Sequence, residues 1–122
     1  MILVDTSVWV DHLRRGVPAL SAQLERNAIG VHPLVVGELA LGSLRERQTV
    51  LDLLRALLVV VQAEHEEVLH LVEQSRLHGR GLSIVDAHLL ASARLTNGCR
   101  LWTRDKPLRA AAVDLGLAYE AA

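Results

Sequence analysis

Four acids stand in apolar company and could carry chemistry together. Asp5 directly follows Ile2-Leu3-Val4, and Asp105 follows Leu101-Trp102-Thr103. Glu38 lies in the apolar stretch from Pro33 to Gly42, with Leu34, Val35 and Leu41 as its neighbours at helical spacing. Asp86 comes three residues after Ser83 and is flanked by Leu82, Leu89 and Leu90. Each acid also has a local reading. Asp5 is a helix N-cap, Ser83 and Asp86 make a capping box, Asp105 starts a helix before Pro107, and Glu38 reaches water at a rim. A carboxylate on an apolar face needs a cation, a hydrogen-bond partner or a raised pKa. Carboxylates gathered at one place repel one another unless a cation sits among them. Hard oxygen ligands without a thiolate cluster select Mg2+ or Mn2+. A zinc site is a weak reading, because the six histidines show no i, i+4 pair and Cys99 stands alone. Most of those histidines read as helix-surface residues. The other acids read as solvated: Asp11 precedes Arg14 and Arg15, Asp52 precedes Arg55, and Glu64, Glu66 and Glu67 share one first turn.

The elements that must position the four acids alternate. Apolar runs predict strands at 2–4, 29–31, 58–61, 100–103 and 117–119. Periodicity, caps and breakers predict helices near 7–15, 18–27, 33–42, 45–57, 64–77, 83–95 and 108–115. Strands alternating with helices imply an α/β domain, with a parallel sheet of about five strands covered by helices on both faces. In such sheets ligands gather at the carboxyl ends of the strands, where Asp5 and Asp105 fall.

The chain of 122 residues suits one domain over 1–122, and no linker or repeat divides it. With 51% hydrophobic and 22% charged residues it is neither disordered nor fibrous. The net charge of -1 excludes coating of nucleic acid by bulk electrostatics, though not a local basic rim. One cysteine permits no internal disulfide and suits a reducing compartment. No apolar run is long enough to span a membrane, and Asp5 interrupts any secretory signal, so the expected location is cytoplasmic.

Four blocks in order then resemble one family. Val4-Asp5-Thr6-Ser7-Val8-Trp9, Pro33-Leu34-Val35-Val36-Gly37-Glu38-Leu39, Val85-Asp86-Ala87 and Leu101-Trp102-Thr103-Arg104-Asp105-Lys106 are similar to the motifs of PIN-domain ribonucleases, and among these to the VapC toxins of type II toxin–antitoxin pairs. The resemblance covers essentially the whole chain. It implies a PIN-like α/β/α domain with an acidic pocket holding Mg2+ or Mn2+, in which Asp5, Glu38, Asp86 and Asp105 form the catalytic quartet. By motif position Asp5 and Asp86 are direct metal ligands, while Asp105 and Glu38 act through water or on a second ion. Ser7 and Thr103 match small hydroxyl positions that orient a carboxylate or a water. The implied activity is metal-dependent hydrolysis of RNA phosphodiester bonds by a toxin. The implied partners are RNA, a second copy of the chain, and an antitoxin that brings a basic residue to the acidic pocket.

Basic residues beside the pocket are the candidates for RNA contact: Arg104, Lys106 and Arg109 first, then Arg14, Arg15 and Arg80. Trp9 and Trp102 read as core or interface residues rather than stacking platforms. The segment 50–61 carries only Asp52 and Arg55 as charges, and with Leu20, Leu24, Leu39, Leu41 and Leu44 it predicts apolar surface left for partners; a well-packed core is the alternative. Two other functions remain open: a PIN scaffold kept only for protein binding, and a different Mg2+-dependent phosphate hydrolase using Asp5 as nucleophile. The second usually needs an acid two residues on, where this chain has Ser7.

Overall fold

The computed structural model of the chain describes residues 1–121. Four strands, β1 (Ile2–Val4), β2 (Ile29–Val31), β3 (Leu58–Val59) and β4 (Arg100–Trp102), form one parallel sheet in the order β3-β2-β1-β4. Helices α1 (Thr6–Arg15) and α2 (Pro18–Glu25) connect β1 to β2. Helices α3 (Pro33–Leu41) and α4 (Arg47–Ala56) lead to β3, and α5 (His65–Gln74) and α6 (Ile84–Leu95) to β4. Helix α7 (Lys106–Asp114) follows. Among the described residues no helix is long and apolar enough to cross a membrane.

Consecutive residues of a strand face opposite sides of the sheet, yet Ile2, Leu3 and Val4 are all buried, as are all three residues of β2. Helices therefore cover both faces of the two central strands, as a parallel sheet requires. Registers Leu3↔Leu101 and Val4↔Trp102 align β1 with β4. The Asp5 N–H donates to the Trp102 carbonyl (2.9 Å), carrying the ladder to the carboxyl edge. At Gly30 a Cβ would stand 2.6 Å from Met1 Sδ and 3.2 Å from Val60 Cγ1, so the centre of β2 is kept bare for its neighbours.

The expected strand count is corrected from about five to four. The segment 117–119 meets β4 through one bridge, Leu101↔Ala118, in which Leu101 donates to the Leu117 carbonyl and accepts from Tyr119. A backbone bridge at a single position makes no strand. β3 also ends before residue 61, because the Val61 N–H leaves the ladder for Thr96 Oγ1 (2.9 Å). Helix α7 begins two residues before the predicted 108, because Pro107 fits its first turn and Asp105 caps it.

Trp9 and Trp102 are buried in the core, as expected. The reading of the histidines as surface residues fails at His32, which is only 3% exposed. Its Nδ1 accepts the Leu34 N–H (3.0 Å) and caps α3, while Nε2 is buried without a hydrogen-bond partner. Burial, and next the nearby His88, push the His32 pKa down to about 4.

Candidate active site

Asp5 is 6% exposed and stands where β1 turns into α1. It occupies the N-cap position, yet its side chain makes no capping bond. Instead Oδ2 accepts two hydroxyl protons, from Ser7 Oγ (2.7 Å) and Thr103 Oγ1 (2.7 Å). Each hydroxyl accepts a backbone N–H from the loop after β4 in return: Arg104 N–H to Ser7 (3.1 Å) and Asp105 N–H to Thr103 (3.0 Å). The two hydroxyls thus lock the ends of β1 and β4 together through one carboxylate oxygen. Asp5 Oδ1 takes no hydrogen bond among the described residues.

Asp86 and Asp105 repeat the pattern. Asp86 Oδ2 accepts the Ser83 N–H (3.0 Å) while Ser83 Oγ accepts the Asp86 N–H, so the capping box at the start of α6 is real. Asp105 Oδ2 accepts the Leu108 N–H (3.0 Å) and caps α7. In both, the other oxygen has no hydrogen-bond partner among the described residues. Capping and metal binding are therefore compatible, since each aspartate uses one oxygen for the fold and keeps the other.

Asp86 is half-buried, and burial holds its carboxyl above the ordinary carboxylate range. The charges of Asp5 and Asp105 push it the same way, against the hydrogen bonds from Ser83. Three aspartates from three segments thus share one field. None of them forms an ion pair with a basic side chain among the described residues, and neither does Glu38. As placed, no three His, Cys, Asp or Glu side chains among the described residues already form a cage for an ion. The donor set nonetheless fits a hard divalent cation: oxygens only, one unengaged on each aspartate, with negative charge that no side chain offsets.

Glu38 sits apart from this trio. The expected apolar surroundings give way to the rim position: its side chain is exposed on α3, where Oε1 accepts the Thr6 hydroxyl (2.7 Å). It lines a groove of about 590 Å³ with Thr6, Val10, Leu39, Leu44 and Arg45. Thr6 follows Asp5 directly, so the groove opens beside the trio. Of the residues predicted to contact RNA, Arg104 is paired with Asp11, Arg109 with Glu120 (2.6 Å), and Lys106 is exposed without an ion pair among the described residues. Arg80, a further candidate, is paired with Asp114 (2.9 Å). Sequence reasoning passed over Thr6 and placed Asp11 on a solvated face with Arg14 and Arg15. The Thr6 hydroxyl had a signal, being the neighbour of Asp5. The Asp11–Arg104 pair had none, since its members lie 93 residues apart.

The PIN-domain family model matches residues 2–114. Ribonuclease VapC32 from two strains of Mycobacterium tuberculosis is 54% identical over 118 residues, which is 97% of this chain and 95% of the relative. Among solved structures, FitAcB from Neisseria gonorrhoeae superposes with a TM-score of 0.63 at 21% identity, covering 93% of this chain and 94% of the other. FitAB bound to an IR36 DNA fragment does so with a TM-score of 0.63 at 18% identity, covering 93% and 91%. These two share the fold. The chain belongs to the PIN-domain family, among its VapC-like members.

Proposed function

We propose that this chain is a metal-dependent endoribonuclease acting as the toxin of a toxin–antitoxin pair, with residues 1–122 working as one cytoplasmic domain. The observation that carries the chemistry is the aspartate trio, which shares one field and forms no ion pair with a basic side chain among the described residues. The 54% identity to a protein named Ribonuclease VapC32 supports RNA as the substrate class.

Asp5 and Asp86 would hold Mg2+ or Mn2+, and Asp105 and Glu38 would act through water or on a second ion. A divalent cation there supplies charge neutralisation at the phosphate and a lowered pKa for the attacking water. Ser7 and Thr103 orient Asp5 by holding its Oδ2, and Oδ1 would be the oxygen left to a cation. Arg104, Lys106 and Arg109 bind backbone phosphates, Arg104 and Arg109 by exchanging their present carboxylates for them. A phosphatase with Asp5 as nucleophile is disfavoured, because Ser7, at the position of the second acid, spends its proton on Asp5 itself.

The partners are a second copy and an antitoxin. Leu53, Leu58, Val59 and Val61 are exposed at and around the edge strand β3, an apolar patch that suits a second copy. Leu41, 90% exposed beside the Glu38 groove, suits an antitoxin segment whose basic residue reaches the acids. The test is cleavage of a single-stranded RNA by the purified chain. Cleavage should require Mg2+ or Mn2+, stop with EDTA, and be absent in Asp86→Asn. Robust cleavage in EDTA would overturn the metal mechanism.

A further inference from the structure

One carboxylate is shared by a group of arginines beside the acids. Arg104 Nη1 donates to Asp11 Oδ2, and Arg15 Nη2 stands 3.6 Å from the same oxygen. The hydrogen bond from Arg104, and then the charges of Arg15, Arg104 and Arg14, hold the Asp11 carboxyl below its ordinary range despite partial desolvation. Two guanidinium groups on one carboxylate leave an excess of positive charge on an accessible surface beside α1. That surface is joined to the aspartate trio. Arg104 lies between Thr103 and Asp105, and its N–H donates to Ser7 Oγ, whose proton goes to Asp5. A guanidinium donates its N–H groups to the oxygens of a carboxylate or of a phosphate alike. An exposed carboxylate–arginine pair contributes little to stability, so exchanging its anion is cheap.

We infer that Asp11 occupies the seat of a substrate phosphate: Arg15 and Arg104 form a subsite for one backbone phosphate of RNA beside the cleaved bond, and Asp11 holds them in place until that phosphate displaces it. This deepens the ribonuclease reading and rests on it. Asp11 is thus a built-in competitor of the substrate. It keeps the arginines from closing on the nearby aspartates while no RNA is bound.

The test is binding of a single-stranded RNA oligonucleotide in EDTA to wild type, Asp11→Asn, Arg104→Ala and the double variant, across a series of salt concentrations. Asp11→Asn should bind about two- to fivefold more tightly, the range set by removing one exposed competing ion pair. Its slope of log affinity against log salt should not be shallower than wild type, since the phosphate contact is kept. Arg104→Ala in the Asp11→Asn background should abolish the gain. Weaker or unchanged binding by Asp11→Asn would overturn the inference, because Asp11 would then orient Arg104 rather than compete with RNA. Should a variant fold poorly, RNA added to wild type provides the second measurement. The Asp11 carboxylate carbon and the Arg104 guanidinium should shift together in NMR spectra as the pair opens, and an unperturbed pair at saturating RNA refutes the seat. Wild type that cleaves RNA with Mn2+ while Asp11→Asn shows no gain sinks this inference alone. Wild type that neither binds nor cleaves RNA sinks the ribonuclease reading with it.

Discussion

At Asp5 two hydroxyl groups spend their protons on one carboxylate oxygen, and the consequence is rigidity at the residue proposed to hold the ion. Removing the Thr103 hydroxyl strips Asp5 Oδ2 of one donor and leaves the Asp105 N–H without its acceptor. Thr103→Ala should therefore cost about 1–3 kcal/mol of stability, seen in urea denaturation, and lower the cleavage rate more than it weakens RNA binding. Thr103→Ser keeps the hydroxyl and should recover most of both. Asp86 makes the complementary prediction. Its carboxyl is held above the ordinary range by burial and by like charges, so its proton is bound more tightly in the folded chain than in the unfolded one. The stability this contributes is present at acid pH and is lost as pH rises through the raised pKa. In EDTA, the stability of wild type relative to Asp86→Asn should fall between acid and neutral pH. Divalent cation should restore it at neutral pH for wild type and not for the variant. A pH-independent difference between the two would show that Asp86 does not feel its neighbours.

The sheet and the helix starts act together as a frame for those side chains. β1 and β4 end side by side, and the capping positions of α6 and α7 bring Asp86 and Asp105 to the same edge. His32 plays the corresponding part at the end of β2, where it caps α3, the helix that carries Glu38. Its pKa of about 4 lies below the unfolded value, so the folded chain favours neutral imidazole. That contribution is complete above the unfolded pKa and is lost as pH falls through the range down to about 4. Protonation would place a second N–H against the Leu34 N–H and break the cap. Wild type should accordingly lose stability relative to His32→Asn on acidification through this range, since asparagine caps without titrating. Parallel pH curves for the two proteins, measured by denaturation, would remove His32 from the account.

For the whole molecule, the core accounts for most apolar side chains and leaves a definite remainder. Leu20, Leu39, Leu51 and Leu54 are buried, and Val60 with them, so four of the ten predicted surface leucines belong to a well-packed interior. The remainder clusters at β3, whose two residues are 60% and 53% exposed at the edge of the sheet. An unpaired apolar edge is a template for association. Val59→Lys should shift the proposed dimer to monomer in light scattering at micromolar concentration without loss of folding. Wild type that is already monomeric under those conditions would place the second copy elsewhere or remove it.

The alternation of apolar runs with helical periods was enough to determine an α/β chain with a parallel sheet, because strand and helix patterns are local properties of the sequence. The four acids were equally legible, standing as they do after apolar runs or within an apolar helix. The capping box at Ser83 and Asp86 could be read from spacing alone. Tertiary structure decided what each carboxylate does with its two oxygens. At Asp5 the choice between capping a helix and serving a site turned on Thr103, which lies 98 residues away. It decided too that Glu38 stands at a rim, that His32 is buried, and that 117–119 joins β4 through a single backbone bridge. The Asp11–Arg104 pair belongs with these. Helical spacing assigned Asp11 to Arg14 and Arg15, whereas folding brings the end of β4 against α1 and supplies a nearer cation. Side chains distant in sequence meet only through the packing of whole elements, and a single chain's local pattern carries no record of those encounters.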